Sequence, residues 1–383
     1  MTQDWQARAE ALADKLAADG DLHTAGWRAA VCAVPRHELV PQYYTQEGTT
    51  FRLVTPEGGR SRRTWLDLMY SDTTVITAVV ADPSGRHVPV SSSTKPDLMV
   101  RMLEALDVHD GHTVLEIGTG SGYNAALLSH RLGQGRVFSI DLRPELVDAA
   151  RKRLATMGYR PVLRAGDGSG GWPEHAPYDR VIATCSVAAI PSRWIEQTAP
   201  GGIILADVEG QLNAGNLVLL RRGNQPVAEG KFLDWYGRFM ALRPDTTSIG
   251  QLWPTVDRSH GEERTTAVDP VELDGEFRFL AQFRLPAGTA HTLTVEDGAP
   301  KATCLTCRDG SWCSVERVTD RSGRYQVRYA GPQDLWTDVE HAHDEWATLG
   351  APAWHRFGLT ATPTTQRVWL DRPDNPHAWN LEH

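Results

Sequence analysis

Three acids and three glycines stand at spacings that could hold a ligand. In VLEIGTGSGY (114–123) an apolar run reaches Glu116, and Gly118, Gly120 and Gly122 follow at alternate positions. Glycines after a strand let the backbone turn sharply and approach a ligand with no Cβ in the way. A dinucleotide loop, G-x-G-x-x-G, asks for a small residue where this chain has Tyr123. An acid two residues before the first glycine suits instead a ligand with a cationic amino-acid end. Asp141 closes FSID and could accept both hydroxyls of a ribose; Asp167, in AGDG, could face an adenine amino group. Upstream lies the run Ser91-Ser92-Ser93-Thr94, followed by Lys95-Pro96. Four hydroxyls there could hold a substrate, or form a polar loop in which Thr94 caps the next helix.

The elements that carry these residues alternate. HTVLEIG (112–118), RVFSID (136–141), PVLRAGD (161–167), 178–184 and 200–206 read as strands. YNAALLSHRLG (123–133), ELVDAARKRLATMGY (145–159) and 192–198 read as helices. That alternation predicts a parallel, doubly wound sheet with the three acids at successive strand tips. NLVLLRRG (216–223) and WYGRFMALRP (235–244) are expected as antiparallel edge strands. Residues 1–45 read as helical, 70–80 as a strand, Gly58-Gly59 as a turn, and 97–106 as a helix capped by Thr94 or Asp97. Beyond a polar connector (246–266), strands are expected at LAQFRLP, HTLTVED, SVERVTD and YQVRYAG, a helix over 333–349 and a hairpin over 354–371. Three regions result: a helical and mixed cap (1–90), a cofactor-binding core (91–244) and a C-terminal α+β accessory domain (245–383).

The chain has 383 residues, 41% of them hydrophobic, and a net charge of −9. An acidic balance argues against a general nucleic-acid binder, which needs a basic stripe. No run of about 18 apolar residues suggests a membrane span, and the N-terminus lacks signal-peptide character, so the expected compartment is the cytoplasm. Five cysteines make a disulfide scaffold improbable. Cys304, Cys307 and Cys313 lack a fourth ligand partner at metal spacing, and Arg308-Asp309-Gly310 between them reads as a hairpin turn, so no metal is expected. Cys185 and His37 read as structural.

AVPRHELVPQYY (33–44), SSSTKP (91–96), LEIGTGSGYNAALL (115–128), GDGSGGWPEHAPYDRVIATCS (166–186) and IPSRWIEQTAPGG (190–202) occur in that order. Over roughly residues 27–243 the chain resembles the protein-L-isoaspartate O-methyltransferases. The resemblance implies a class I methyltransferase, a Rossmann-like α/β fold that uses S-adenosyl-L-methionine. It implies Glu116, Gly118 and Gly120 at the methionine end, Asp141 at the ribose, and Asp167 with Gly168 at the adenine. Ser92, Met99, Thr119, Ser121, Gly122, Leu142 and Thr184 complete the implied cofactor set, and Thr94 with Ser93 would position the substrate carboxylate. The chain departs from the family in three places. Thr94 replaces a serine, Thr184-Cys185-Ser186 replaces a small alanine-rich run, and about 140 residues extend past position 243.

YSDTTVIT (70–77), SSSTKP, YDRVIATCS, FMALRP and RFGLTATP with VWLD are similar to the methyltransferases of ATP-grasp peptide maturase (graspetide) systems. This narrower resemblance implies methylation of an aspartate in a modified, macrocyclised precursor peptide, the ester then closing to an aspartimide. The alternative is repair of isoaspartate in damaged proteins. The C-terminal domain, rich in tryptophan (Trp253, Trp312, Trp336, Trp346, Trp354, Trp369, Trp379, with Trp235 before it), is expected to grip the peptide, and a monomer is expected.

Overall fold

A computed structural model describes residues 3–56, 62–243, 256 and 260–381. Gly58-Gly59, Trp253 and most of the connector lie outside the described residues. Helices α1 (Gln3–Ala18), α2 (Ala25–Ala33), α3 (Arg36–Leu39) and α4 (Arg62–Met69) share an apolar cluster with residues of a four-stranded antiparallel sheet, β1 (Tyr43–Glu47), β2 (Thr50–Val54), β3 (Val75–Ala81) and β4 (His87–Ser93), in the order β2-β1-β3-β4. The hydroxyl run is therefore the end of a strand rather than a loop. It leads into α5 (Pro96–Ala105), whose N-cap is Lys95 and not Thr94 or Asp97. Asp72 supplies the capping acceptor from outside, taking the Asp97 N–H at 2.9 Å.

The central unit follows the expected alternation: β5 (Val114–Ile117), α6 (Tyr123–Leu132), β6 (Val137–Asp141), α7 (Pro144–Thr156), β7 (Val162–Ala165), β8 (Tyr178–Val187), α8 (Ser192–Gln197) and β9 (Thr198–Glu209). These five strands are parallel neighbours in the order β7-β6-β5-β8-β9. Side chains alternate across the sheet, as a sheet covered on both faces requires. Val114, Ile203 and Leu205 face the N-terminal helices, while Leu115, Ile204 and Ala206 face the C-terminal half.

The antiparallel continuation differs from expectation. Strand β10 (Gly215–Arg222) is present, but its partner is β11 (Ala228–Phe232), not 235–244. The outer edge of β11 is taken by β17 (Phe357–Ala361), which leaves the 235–244 segment no free edge. The later elements are β12 (Glu262–Thr266), α9 (Phe277–Ala281), β13 (Ala290–Glu296), β14 (Ala299–Thr306), β15 (Trp312–Thr319), β16 (Tyr325–Ala330), α10 (Leu335–Thr348), β17, β18 (Gln366–Leu370) and β19 (Ala378–Asn380). LAQFRLP is thus the end of a helix and a turn: Leu280 and Ala281 close α9, all five of whose residues are buried. Strands β12 to β16 form their own antiparallel sheet, whereas β17, β18 and β19 lengthen the central sheet to ten strands.

The boundary expected at residue 245 is consequently crossed by one sheet and one core. Phe277, Leu305, Trp336 and Val368 belong to the same apolar cluster as Leu115 and Ile204. Trp312, Trp336, Trp354, Trp369 and Trp379 are buried within the fold. Cys304, Cys307 and Cys313 are buried and flank the expected turn. No helix among the described residues is long and apolar enough to cross a membrane.

Candidate active site

Strand β5 pairs with β6 on one side and β8 on the other, so the chain reverses direction of winding there. A crevice opens beyond the carboxyl ends of strands at such a point. A cavity of about 200 Å³ occupies it, walled by Ile117 to Ser121, Ile140 to Arg143, Gly168, Thr184 and Cys185. The hydroxyl run Ser91 to Thr94 and Met99 form a second wall, and residues 237–243 a third.

The glycine loop is fixed by its backbone. Gly118 has φ +101°, and a Cβ there would sit 2.6 Å from Thr184 Oγ1. Its N–H donates to Ile140 O at 2.7 Å. The Thr184 hydroxyl in turn donates to Gly118 O at 2.9 Å. Thr184 and Cys185 fall in a register break between β8 and β9, where strands bend and re-aim their side chains. Asp141 Oδ2 accepts the Gly120 N–H at 2.8 Å, and Oδ1 accepts the Arg143 N–H at 3.1 Å. Each oxygen keeps a lone pair, and burial raises the carboxyl pKa.

Three expected cofactor contacts lie elsewhere. Glu116 is fully buried behind the loop, not on the cavity wall. It accepts from Asn124 Nδ2 at 2.7 Å and from Ser139 Oγ, and Ser139 is itself bonded to Thr119 Oγ1. Burial pushes its pKa up to about 7. Asp167 is exposed and its carboxylate accepts from Ser169 N and Oγ, capping a short turn, so only the neighbouring Gly168 reaches the cavity. Gly122 has φ +87° and packs against α7, where a Cβ would meet Ala150 at 3.2 Å. Glu116 is instead bonded to Asn124, which does line the cavity and whose Oδ1 is buried with no partner among the described residues.

The hydroxyl run alternates as a strand should. Ser91 Oγ accepts from Thr77, and Ser93 Oγ accepts from Arg36 Nε at 3.2 Å. Ser92 and Thr94 lie on the other face, and their hydroxyls have no protein partner among the described residues. Arg36 escaped the sequence reading, hidden in the Pro35-Arg36-His37 turn. It is fully buried, donates to the carbonyls of Met69, Thr73 and Thr94 at 3.0 to 3.2 Å, and packs over the Tyr123 ring at 5.6 Å. His37, expected to be structural, is buried against Tyr70 Oη at 2.7 Å.

The 237–243 strap also went unforeseen. It runs beside the end of β8, with Ser186 N donating to Met240 O and Leu242 N to Ser186 O, at 3.0 and 2.7 Å. Asp207 Oδ2 accepts the Phe239 N–H at 3.1 Å, and burial raises the Asp207 pKa to about 7.

The family profile described as "Protein-L-isoaspartate(D-aspartate) O-methyltransferase (PCMT)" matches residues 70–234. A protein-L-isoaspartate O-methyltransferase of Gloeobacter violaceus is 33% identical over 207 residues, 53% of this chain and 83% of its own length. The chain belongs to the protein-L-isoaspartate O-methyltransferase family. One of Methanopyrus kandleri is 33% identical over 202 residues, 52% of this chain and 76% of its own length. A solved protein-L-isoaspartate O-methyltransferase shares the fold with a TM-score of 0.55 at 21% identity, over 95% of this chain and all of its own. That likeness in fold extends over residues past position 243, while the relatives of higher identity match little more than half of this chain.

The fold is that of a class I methyltransferase, and the chain is an enzyme of that type with S-adenosylmethionine as its cofactor. The cavity fits that molecule. Asp141 offers two acceptors to a diol, and Asn124 Oδ1 is an orphan acceptor suited to an ammonium group. Gly168 leaves a slot beside Ile117 and Leu242 that a Cβ would fill, at 2.5 Å from Ile117 Cγ2.

Proposed function

We propose that this methyltransferase esterifies a carboxylate of an aspartyl-derived residue in a peptide. The observation that carries the reading is the pair of partner-free hydroxyls, Ser92 and Thr94, on the wall facing the glycine loop. S-adenosylmethionine supplies an electrophilic methyl group. A carboxylate is ionised near pH 7 and needs no general base, so the chain's task is to orient one carboxylate oxygen and exclude water. Thr94 donates its hydroxyl to that carboxylate. Ser93 serves as a positioning residue, because Arg36 binds its hydroxyl and the carbonyls around it. Asp141 holds the ribose, and Asn124, fixed by Glu116, holds the amino-acid end. The C-terminal unit contributes to peptide recognition.

The breadth of the family match favours an isoaspartyl residue as the acceptor. A second reading is a dedicated L-aspartate in a ribosomally made, macrocyclised precursor peptide. It is favoured by where the departures fall: Thr94, Thr184 and Cys185 all line the cavity. In that reading the following backbone amide nitrogen attacks the ester carbonyl. A C–N bond forms, the C–OCH3 bond breaks, methanol leaves with the amide proton, and an aspartimide remains. Incubation with S-adenosylmethionine and matched aspartyl and isoaspartyl peptides separates the two. Fast esterification of unrelated isoaspartyl peptides supports the first reading and excludes the second. Esterification confined to a cyclised precursor does the reverse.

A further inference from the structure

Arg36 is a fully buried cation directly behind the cavity wall. Its hydrogen-bond acceptors are all neutral oxygens. Nε donates to Ser93 Oγ at 3.2 Å. One terminal nitrogen donates to the carbonyls of Met69 and Ser71, at 3.0 and 3.3 Å. The other donates to those of Thr73, Ser93 and Thr94, at 3.0, 3.4 and 3.2 Å. Ser93, Thr94 and Tyr123, whose ring the guanidinium covers, all line the cavity. No carboxylate bonds to Arg36 among the described residues. Asp72, the acid that bears on it, already holds Lys95 at 3.0 Å and accepts the Asp97 N–H. The Tyr70 and Tyr123 hydroxyls stay neutral, because burial raises their pKa. Neutral donors could satisfy these carbonyls, yet the chain buries a permanent charge here, which is costly without a counterion. Thr94 links that charge to the cavity: its carbonyl accepts from Arg36, and its hydroxyl has no protein partner among the described residues.

We propose that Arg36 is a positioning residue that sets specificity: acting through Thr94, its charge is the counter-charge of the substrate carboxylate and makes the cavity select an ionised carboxylate over the isosteric carboxamide. The inference rests on the peptide-carboxylate reading above and narrows it, separating aspartyl and isoaspartyl residues from their amides. Esterification removes the negative charge, so the same cation favours the substrate over the neutral ester product. The guanidinium, the Thr94 residue and a hydrogen bond from its hydroxyl together span at most about 10 Å.

The test is calorimetry on the full chain saturated with S-adenosylhomocysteine, whose sulfur carries no charge, so no sulfonium attracts the peptide. The probes are short peptides blocked at both termini, in two matched pairs: aspartyl with asparaginyl, and isoaspartyl with its α-carboxamide. In at least one pair the carboxylate form is expected to bind about tenfold more tightly, the scale for unit charges about 10 Å apart at an effective dielectric of about 20. A buried charge is weakly screened, so the preference should persist from about 0.05 to about 0.5 M salt. Arg36→Lys keeps the charge and loses the fork of donors, whereas Arg36→Gln keeps a donor and loses the charge. The preference should survive in Arg36→Lys and shrink to within about twofold in Arg36→Gln; a role confined to hydrogen bonding would move both alike. Equal binding within both pairs, including none up to about 1 mM, overturns the inference. So does a preference kept in Arg36→Gln or lost equally in both variants. Should Arg36→Gln fail to fold, the wild-type salt response and Arg243→Gln, on the outer cavity wall, decide. A preference that salt abolishes, or that Arg243→Gln removes, places the counter-charge elsewhere and overturns the inference; one that survives both supports it. The readout needs no methyl transfer, so a protein that prefers the carboxylate yet esterifies neither peptide keeps the inference and refutes the function.

Discussion

Replacing Glu116 with glutamine exposes the electrostatic cost of the cofactor loop. The Glu116 carboxyl has its pKa raised from 4.5 to about 7, chiefly by burial, even though Ser139 and Asn124 donate to it. The folded chain therefore holds a proton there that the unfolded chain releases near pH 4.5. The wild-type chain loses stability from this group as pH rises from about 4.5 to about 7. A gap of about 2.5 pH units, at about 1.4 kcal/mol each, amounts to about 3–4 kcal/mol. Glutamine carries no charge and still accepts from Asn124, but Ser139 loses its acceptor, at a cost of about 1 kcal/mol. The variant should be about 1 kcal/mol less stable than wild type below pH 4.5 and about 2–3 kcal/mol more stable at pH 8. Urea unfolding of both proteins, without cofactor, across pH 4 to 8 gives the difference curve and cancels the other titrating groups. A difference that stays flat with pH, or falls as pH rises, would refute the burial argument.

The remaining expectations concern single contacts. Gly118→Ala puts a Cβ against Thr184 in a left-handed backbone region, and should destabilise the loop by about 1–3 kcal/mol and abolish the thermal shift given by S-adenosylhomocysteine. Asp141→Ala should weaken S-adenosylhomocysteine binding about 10- to 100-fold by calorimetry, as lost charge-assisted hydrogen bonds do. Thr94→Ala should lower kcat with cofactor affinity unchanged; Thr94 caps no helix, so a fall in melting temperature without a fall in kcat would contradict its role. Thr94→Ser should raise the rate on isoaspartyl peptides relative to aspartyl ones, if the extra methyl narrows the pocket.

The parallel sheet was legible because each strand is a short apolar run and each helix ends on a glycine or cap signal. Gly118 and Asp141 could be placed for the same reason, since strand tips of such a sheet converge on one crevice. Glu116 could not: spacing puts it beside the loop, but only packing decides that its side chain turns inward to Asn124 and Ser139. The 235–244 segment has strand-like residues, yet pairing is a competition for edges, and β17, more than 110 residues later, occupies the one on β11. Arg36 leaves no local pattern, because its acceptors are backbone carbonyls spread over residues 69 to 94.

The central claim is methyl transfer to a peptide carboxylate. It is tested most directly with methyl-labelled S-adenosylmethionine and three peptides: one aspartyl, one isoaspartyl and one without a carboxylate side chain and blocked at its C-terminus. The account predicts label on a carboxylate-bearing peptide, released as methanol by mild base, as an ester must be. Label that resists base, or label on the carboxylate-free peptide, would contradict it.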